Sequence, residues 1–350
     1  MIQGEKTSNV RKFFVTGGAG FIGSAFVRLL LDESPLCEVT NFDALTYAGN
    51  PDNLEGLDGN RHYFIKGDIC DREAVFAALA ANTDAIINFA AESHVDRSIA
   101  SADEFLRTNI LGTQILLDAA RARGVKRFLQ VSTDEVMGSL PDDERAFFTE
   151  DSPFCPNSPY AASKAAAEHL VRAAHHTFGL DTVITRCGNN YGPRQFPEKF
   201  LPLLLANALN GEPIPVYGDG LNVRDWIYVD DHCRAILLAL EKGRSGATYN
   251  IGARNERRNL EIAKSILDQL GKSHSLIKFV KDRPGHDRRY AIDPTLVETE
   301  LGWRPRETWE SGLRKMIEWY RSNTDWLERV RSGAYREYYA RQYGAEVGAP

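Results

Sequence analysis

Residues 11–33 read RKFFVTGGAGFIGSAFVRLLLDE, and this stretch decides the fold. Its first part, RKFFVT, is a short apolar run that suits a buried strand, and its last part, FIGSAFVRLLLDE, has apolar residues at helical spacing. Gly17, Gly20 and Gly23 lie around the junction at the spacing GxxGxxG. Glycines in this position permit a tight turn and let backbone N–H groups at the helix start approach a pyrophosphate. The stretch therefore predicts a strand, a phosphate-binding loop and a helix.

Further strand-like runs follow, and helix-like stretches with few breakers lie between them. Strands that alternate with crossover helices indicate a parallel sheet with right-handed connections. We therefore predict an α/β fold with a doubly wound parallel sheet of the Rossmann type. The predicted strands after the first are CEVTNFD (37–43), RHYFIKGD (61–68), TDAIINFAA (83–91), KRFLQVST (126–133) and DTVITRCG (181–188).

From residue 188 the sequence becomes rich in Pro, Gly and aromatic residues, which indicates a smaller α+β domain interleaved with the first. We expect a dinucleotide-binding domain at 1–187 with a return segment at about 225–258. The substrate-binding domain would then comprise 188–224 and 259–350. The last dozen residues are expected to form a loosely docked tail.

The composition excludes several classes of protein. The chain has 350 residues, 43% of them hydrophobic, and its formal charge of −6 argues against a general nucleic-acid binder. No signal-peptide core and no apolar run of roughly 20 residues is present, so we expect a cytoplasmic protein without a membrane partner. Five scattered cysteines without CxxC spacing suggest neither a disulfide framework nor a zinc site, and no metal is expected.

The cofactor is predicted from the acid that ends the second strand. Asp43 occupies the position where a carboxylate accepts hydrogen bonds from the ribose hydroxyls and repels a 2′-phosphate, which favours NAD over NADP. Asp68 follows the third strand and suits an adenine amino group, with capping of the next helix as the alternative. The predicted cofactor contacts are Gly17, Gly20, Phe21, Ile22, Gly23, Asp43, Leu45, Thr46, Asp68, Ile69, Phe89, Ala90, Ala91, Ser93, Thr108, Ser132, Tyr160, Lys164 and Asn190.

Tyr160 and Lys164, in YAASK, are spaced i, i+4, so that they share one face of a helix. This pattern predicts Tyr160 as the base that removes a sugar hydroxyl proton. A free phenol has a pKa of about 10, so it needs a neighbouring positive charge, from Lys164 or from the nicotinamide ring. The alternative is a surface pair of an aromatic ring and a cation.

Together these elements resemble the extended short-chain dehydrogenase/reductase family from Lys12 to about Tyr343. Within that family VSTDEV, at 131–136, is similar to the pattern of the dTDP-glucose 4,6-dehydratases, because epimerase relatives usually carry small or apolar residues there. The resemblance implies an NAD-dependent hydro-lyase that oxidises C4 of dTDP-glucose, eliminates water across C5–C6 and returns hydride to C6. The alternatives are a 4-epimerase or decarboxylase of the same fold, and a catalytically silent NAD-binding regulatory protein.

The same resemblance implies the catalytic roles. Tyr160 would be the base for C4 oxidation, Thr133 would orient the C4 oxygen, Glu135 would remove the C5 proton and Asp134 would protonate the departing C6 hydroxyl. For one carboxyl to act as acid and the other as base, their environments must differ. Met137 departs from the family pattern, which usually has Tyr at this place. An aromatic hydroxyl is therefore expected to be missing near the site.

The substrate residues implied by the resemblance come from several segments between Ser93 and Tyr290. Arg224 is expected to form a fork on the diphosphate, with pairing to Asp225 as the alternative. His94 is expected to brace its loop. A homodimer through the helices predicted at 105–124 and 163–178 is also implied, and the choice between dTDP and UDP sugars stays open. The predicted substrate contacts are Ser93, Thr133, Asn189, Glu198, Lys199, Tyr217, Arg224, Asn259, Arg283, His286 and Tyr290.

Overall fold

The structure is a computed structural model that describes residues 10–142 and 145–331. Its centre is a seven-stranded sheet with the order β10-β6-β5-β4-β1-β2-β3, in which every neighbouring pair is parallel. The α/β prediction is confirmed. The strands are β1 (Arg11–Thr16), β2 (Cys37–Asp43), β3 (His62–Lys66), β4 (Ala85–Asn88), β5 (Arg127–Thr133), β6 (Thr182–Cys187) and β10 (Thr248–Ile251).

Helices cover both faces of this sheet, as a parallel sheet with two buried faces requires. On one face α1 and α8 pack through side chains such as Phe26, Leu30 and Ile236. On the other, α5 and α6 pack through Leu116 and Val171. The helices before residue 250 are α1 (Phe21–Glu33), α2 (Arg72–Ala78), α3 (Val95–Ala100), α4 (Asp103–Phe105), α5 (Thr113–Arg123), α6 (Pro159–Phe178), α7 (Phe200–Asn210) and α8 (Val229–Lys242).

The helix predicted at 105–124 is interrupted, because Leu106–Gly112 form a π-helix between α4 and α5. Asn109 lies in this wider turn and is buried. Its side-chain amide donates to the Glu92 carbonyl at 2.9 Å and to the Ser163 hydroxyl at 2.8 Å. A regular helical spacing in the sequence contained no sign of this interruption.

A second group of elements packs around its own apolar core, which includes Leu204, Trp226, Ile266 and Leu313. It contains a three-stranded sheet, β11-β9-β7, and a two-stranded sheet, β12-β8. Its elements and the remaining helices are β7 (Asn189–Tyr191), β8 (Ile214–Tyr217), β9 (Val223–Tyr228), β11 (Glu256–Arg258), α9 (Asn259–Leu270), β12 (Ile277–Val280), α10 (Thr295–Leu301), α11 (Trp309–Ser322) and α12 (Thr324–Val330).

The chain returns twice from this second group to the large sheet. β9 belongs to the three-stranded sheet, and α8 begins at Val229 directly after it. α8 then packs beside α1, and β10 joins the edge of the large sheet. Later Val297 and Leu301 of α10 also pack into the core of the large sheet. The predicted C-terminal tail lies outside the described residues.

In the parts of the chain that the structure describes, no helix combines the length and apolar character needed to cross a membrane. The five cysteines are all unpaired. Within 10–142 and 145–331, no three metal-ligating side chains converge.

Candidate active site

The site lies where the strand order of the large sheet reverses, between β1 and β4. Ligands of open α/β sheets bind beyond the carboxyl ends of the strands at such a point. A cavity of about 450 Å³ opens there and extends to the small sheet. Every residue predicted for the site lines this cavity except Leu45 and Asp134.

The glycine loop has the backbone that a dinucleotide requires. Gly17 has φ +70°, and a Cβ on it would lie 2.6 Å from the Ala90 nitrogen. A Cβ on Gly23 would lie 2.2 Å from the Gly17 carbonyl oxygen, so this glycine lets α1 pack on the loop. Beside Gly20 a Cβ would meet only one atom, at 3.2 Å. The loop and the first N–H groups of α1 therefore leave room for a pyrophosphate.

Asp43 is held by the backbone around it. One carboxylate oxygen accepts from the Ala19 N–H at 2.9 Å and the other from the Leu45 N–H at 2.8 Å. Burial raises the pKa of Asp43, and these two hydrogen bonds oppose the rise. Leu45, at φ +53°, is not among the residues that line the cavity, although its neighbours Ala44 and Thr46 are. Its predicted contact with the cofactor stays a prediction.

Asp68 lines the cavity and does not cap α2. The cap of that helix is Asp71, whose carboxylate accepts from the Ala74 N–H at 3.0 Å. Asp68 accepts instead from the Cys70 N–H at 2.8 Å, within a tight turn. The capping alternative is thereby excluded for Asp68.

Tyr160 and Lys164 project from the first turns of α6 into the cavity beside Thr133. The Lys164 ammonium donates to the Val131 carbonyl at 2.7 Å. Burial lowers the pKa of Lys164 to about 8, against the opposing charge of Glu168. Burial raises the pKa of Tyr160 well above its usual value, the negative charge of Glu135 adds to this, and a hydrogen bond with Thr133 opposes it. The surroundings of Tyr160 therefore favour the neutral phenol, and ionisation of its hydroxyl requires stabilisation by positive charge.

The two adjacent acids lie in different surroundings. Glu135 lines the cavity, whereas Asp134 is buried behind it and is 2% exposed. Burial, and next the charge of Glu135, raise the pKa of Asp134 well above its usual value. Burial also raises the pKa of Glu135, but the cations Arg283, Lys199 and Arg224 oppose the rise. Burial therefore favours the protonated form of Asp134, and the neighbouring negative charge adds to this, whereas the three cations favour the ionised form of Glu135.

Asp134 departs from the expectation that both acids face the cavity. Its Oδ1 accepts from the Thr133 hydroxyl at 3.3 Å, and its Oδ2 is buried without a partner among the described residues. Because Asp134 does not line the cavity, contact with a ligand there requires its side chain to change conformation. Since Oδ2 makes no hydrogen bond in its present position, no bond of that atom opposes this change.

Met137 does not line the cavity. It is buried in an apolar cluster with Val136, Phe148 and Tyr290, and its sulfur lies 3.6 Å from the Arg186 guanidinium. The side chain that departs from the family pattern is therefore directed to a structural ion pair, and the reacting groups do not touch it.

Glu198 and Lys199 are tied to the loop after β4. Arg97 donates to the Glu198 carboxylate at 3.2 Å and stacks over the Tyr47 ring at 4.1 Å. The Lys199 ammonium donates to the Ser93 carbonyl at 2.5 Å. These bonds hold a carboxylate and an ammonium group at fixed positions in the cavity, so neither is a solvated surface charge.

His94 braces this loop, as expected. One ring nitrogen accepts from the Arg97 N–H and the other lies 3.4 Å from the Glu198 carbonyl oxygen. Burial and the nearby cations Lys199 and Arg97 lower its pKa well below the usual value, so the ring is neutral.

The far end of the cavity carries two arginines. Arg224 is buried, stacks over the Tyr290 ring at 4.2 Å and donates to the Asp287 carbonyl at 2.9 Å, so it is not paired with Asp225. Arg283 lies 3.6 Å from Asp96. These two guanidinium groups give this end the positive charge that a diphosphate requires.

The cavity also contains residues that the sequence analysis did not predict. Asp96 accepts from the Tyr217 hydroxyl at 3.2 Å and so joins α3 to β8. Glu92 has its pKa raised to about 7, by burial and by the charge of Glu198. Both are acidic residues in the segment AAESHVDRS, beside the predicted contact Ser93, and this could have indicated that they lie in the cavity. The remaining lining residues are mostly neighbours of predicted ones, among them Phe42, Ala44, Gly67, Val131, Cys187, Gln195, Phe196, Leu201, Leu203, Pro215 and Trp226.

Comparison with known proteins agrees with this geometry. A family profile described as GDP-mannose 4,6 dehydratase matches residues 14–316. A dTDP-glucose 4,6-dehydratase from Xanthomonas campestris pv. campestris is 52% identical over 344 residues, with 93% of this chain and 97% of the relative covered. A relative of the same name from Neisseria meningitidis serogroup B is 50% identical, with 93% of this chain and 98% of that protein covered.

Two solved structures with different activities differ more in their sequence identity to this chain than in their similarity of fold. The dTDP-glucose 4,6-dehydratase from Streptomyces venezuelae, solved with NAD and TYD bound, has a TM-score of 0.88 and 51% identity, with 91% of this chain and 99% of that chain covered. The UDP-glucose 4-epimerase from Thermus thermophilus, solved with NAD, has a TM-score of 0.83 and 33% identity, with 89% and 99% covered. Both structures share the fold of this chain, so the fold alone does not distinguish the two activities.

Proposed function

This chain belongs to the family of dTDP-glucose 4,6-dehydratases, and on that premise we propose that its cavity converts dTDP-glucose to dTDP-4-keto-6-deoxyglucose. The observation that carries the proposal is the presence of Glu135 and Tyr160 in one cavity, with Asp134 buried behind them and its protonated form favoured. An epimerase has no step for this acid pair. Bound NAD supplies the chemistry of taking hydride from C4 and returning it to C6.

The cofactor fits the loop around Gly17 and Gly20 because the backbone there is open on the cavity side. Asp43 offers its buried carboxylate to the adenosine ribose and selects against a 2′-phosphate by charge repulsion. Asp68 faces the adenine. Asn190, whose side-chain oxygen lies 2.9 Å from a His232 ring nitrogen, faces the nicotinamide side.

Tyr160 accepts the C4 hydroxyl proton, and Thr133 orients the C4 oxygen. Because the protein raises the pKa of Tyr160, the positively charged ligand ring and the Lys164 ammonium together have to stabilise the phenolate. Lys164 is fixed by the Val131 carbonyl and carries its charge below a pH of about 8.

Glu135 removes the C5 proton once C4 is a ketone, and Asp134 protonates the departing C6 oxygen. Their different pKa values fit the two roles, because the acid has to stay protonated at the pH at which the base is ionised. Asp134 reaches the C6 oxygen by a change of side-chain conformation. Glu135 then returns a proton to C5. Tyr160 releases to water the proton that it took from the C4 hydroxyl, and Asp134 regains one from water, so that the protein is restored.

The substrate is placed with its hexose beside Glu198 and Lys199 and its diphosphate at Arg224 and Arg283. Tyr217 contacts the nucleoside base. The other proposed substrate contacts are Ser93, Thr133, Asn189, Asn259, His286 and Tyr290, all of which line the cavity.

The division of the chain into a cofactor domain at 1–187, with a return segment at about 225–258, and a substrate domain at 188–224 and 259–350 is part of the same proposal. The two apolar cores support it. The passage of β9 and α10 between those cores makes the boundaries approximate.

A homodimer is supported by exposed apolar side chains on the helices expected to pair. Leu106 and Leu111 of the π-helix are 47% and 49% exposed, and Phe178 at the end of α6 is 52% exposed. Exposed apolar residues on neighbouring helices are typical of an interface. A monomeric mass by light scattering at micromolar concentration would contradict the dimer. The five unpaired cysteines support a reducing, cytoplasmic location.

Isotope tracing tests the activity. C4-deuterated dTDP-glucose should deliver its label to C6 of the same molecule, and solvent deuterium should enter C5 of the 4-keto product. The Tyr160→Phe variant should do neither. Label that stays at C4 without formation of a 4-ketone would refute the dehydratase and leave an epimerase or a non-catalytic NAD-binding protein. Parallel assays with dTDP-, UDP-, GDP- and CDP-glucose identify the nucleoside.

A further inference from the structure

Helix α12, the last helix in the described part of the chain, is connected to the glycine loop by a side chain that lies in neither element. Asn53 belongs to a 3-10 helix, Pro51–Leu54, that follows β2, and it is 1% exposed. Its side-chain amide donates to the Ala19 carbonyl at 2.9 Å. Its side-chain oxygen accepts from the indole N–H of Trp326 at 3.1 Å, across 273 positions of sequence.

Ala19 is the residue of the glycine loop whose position these bonds determine. Its carbonyl also accepts from the Asn50 N–H at 3.1 Å, and its own N–H donates to Asp43 at 2.9 Å. The backbone N–H and the carbonyl oxygen of Ala19 therefore both make hydrogen bonds that fix the loop. The N–H groups at the start of α1, beyond Gly20, are left for the pyrophosphate.

Asn53 is held independently at its backbone. Its carbonyl accepts from the Arg28 guanidinium at 2.7 Å, and its N–H donates to the Asn50 carbonyl at 3.0 Å. The side chain consequently has little freedom to seek other partners, and loss of either side-chain bond leaves a buried polar atom unsatisfied.

Trp326 is anchored in the core of the small-sheet region. It is 6% exposed and packs edge-on against Trp319 and Tyr320, with ring centroids 5.1 and 6.1 Å apart. Arg329, one turn later, pairs with Asp52 at 2.7 Å. The position of the indole N–H is thus determined by a different core from the one that holds the glycine loop.

We propose that Trp326 and Asn53 are positioning residues for the cofactor: through them α12 holds the glycine loop in the conformation that retains NAD. The inference rests on the proposed cofactor. It explains a requirement of the reaction, since a cofactor that is reduced and reoxidised within one turnover has to remain bound between the two steps.

Two variants each break a different one of the two hydrogen bonds that connect Trp326 to Ala19 through Asn53. Trp326→Phe keeps an aromatic ring in the core but removes the N–H to Asn53. Asn53→Asp keeps an acceptor for Trp326 but places an oxygen against the Ala19 carbonyl. The matched control is Trp319→Phe, which changes the neighbouring indole; no hydrogen bond from Trp319 to the glycine loop is present in the described part of the chain.

The measurement is the release of radiolabelled NAD from the loaded full-length protein after addition of excess unlabelled NAD. We expect release to be about 3- to 10-fold faster for Trp326→Phe, the range of one lost hydrogen bond, and at least as fast for Asn53→Asp. Trp319→Phe should stay within about 2-fold of the parent, as a variant that loses no such bond. The double variant should be no faster than Asn53→Asp alone, because the two residues act through one contact.

Unchanged release for Trp326→Phe would overturn the inference, and so would equal acceleration by Trp319→Phe, which would indicate general loosening of the core. Thermal unfolding of each variant separates loop positioning from loss of stability. If the parent protein itself retains no NAD, the proposed function fails instead, so the two failures are distinguishable.

Discussion

Glu168 of α6 and Arg186 of β6 form a two-pronged ion pair inside the protein, with Nε–Oε1 at 3.2 Å and Nη2–Oε2 at 2.9 Å. Both side chains are nearly inaccessible, and the Ser132 hydroxyl donates to the same carboxylate at 2.6 Å. The pair thus joins the helix of Tyr160 and Lys164 to the ends of two strands.

Removal of one charge from this pair should be costly. Glu168→Gln leaves Arg186 buried without its counter-ion, and we expect the free energy of unfolding to fall by about 3–5 kcal/mol. The control is Asp118→Asn, which breaks the more exposed pair with Arg72 and should cost less than about 1 kcal/mol. Denaturant unfolding measures both. Equal small losses would show that the buried pair adds no more than a surface contact.

The acid pair should separate into two steps when each member is altered. Glu135→Gln removes the base, so solvent deuterium should enter C5 about 10²–10⁴-fold more slowly, while C4 oxidation, seen as absorbance of reduced cofactor, persists. Asp134→Asn cannot donate the proton, so C5 exchange should continue while 4-keto-6-deoxy product forms about 10²–10⁴-fold more slowly. Quenched-flow analysis distinguishes the two. If Asp134→Asn slowed C5 exchange and Glu135→Gln did not, Asp134 would be the base and Glu135 the acid.

The alkaline limit of the reaction should reflect Lys164. Its pKa is lowered to about 8, so its charge is present below that pH and is lost as the pH rises through it. We therefore expect kcat/KM to fall above pH 8. In Lys164→Arg, whose side chain stays charged, the remaining activity should not show this limb. A limb that persists in the arginine variant would have another origin.

The same group affects stability in a defined direction. The folded pKa of Lys164 lies below its unfolded value, so the unfolded chain binds more protons between about pH 8 and 10.4. Its contribution to the free energy of unfolding therefore becomes more favourable as the pH rises across that window. Comparison of wild type with Lys164→Met over this range isolates the contribution, and identical pH slopes would contradict it.

Cofactor selection should depend on Asp43 and not on Asp68. Asp43→Asn removes the charge that repels a 2′-phosphate, so the preference for NAD over NADP should fall by about 10-fold, equivalent to about 1.4 kcal/mol. Asp68→Asn, at the adenine end, should weaken both cofactors alike and leave the ratio unchanged. Equilibrium titration with NAD and with NADP gives the two dissociation constants and hence their ratio. An unaltered ratio in Asp43→Asn would place the selection elsewhere.

The sheet, the glycine loop and most of the cavity lining could be predicted from the sequence, because these features depend on local patterns. GxxGxxG requires its own turn, and YAASK places two polar groups one helical turn apart wherever the helix lies. The six strands predicted before residue 190 are all present within a few residues of their expected bounds.

Tertiary structure decided what depends on partners distant in sequence. Asp134 is buried behind Thr133, Leu45 serves Asp43 through its backbone, and Met137 packs beside Arg186, although all three lie in segments whose function the sequence indicated. The contact between Asn53 and Trp326 depends on the meeting of two separate cores. A local pattern specifies the direction of a side chain relative to its own element, whereas packing alone determines what that side chain meets.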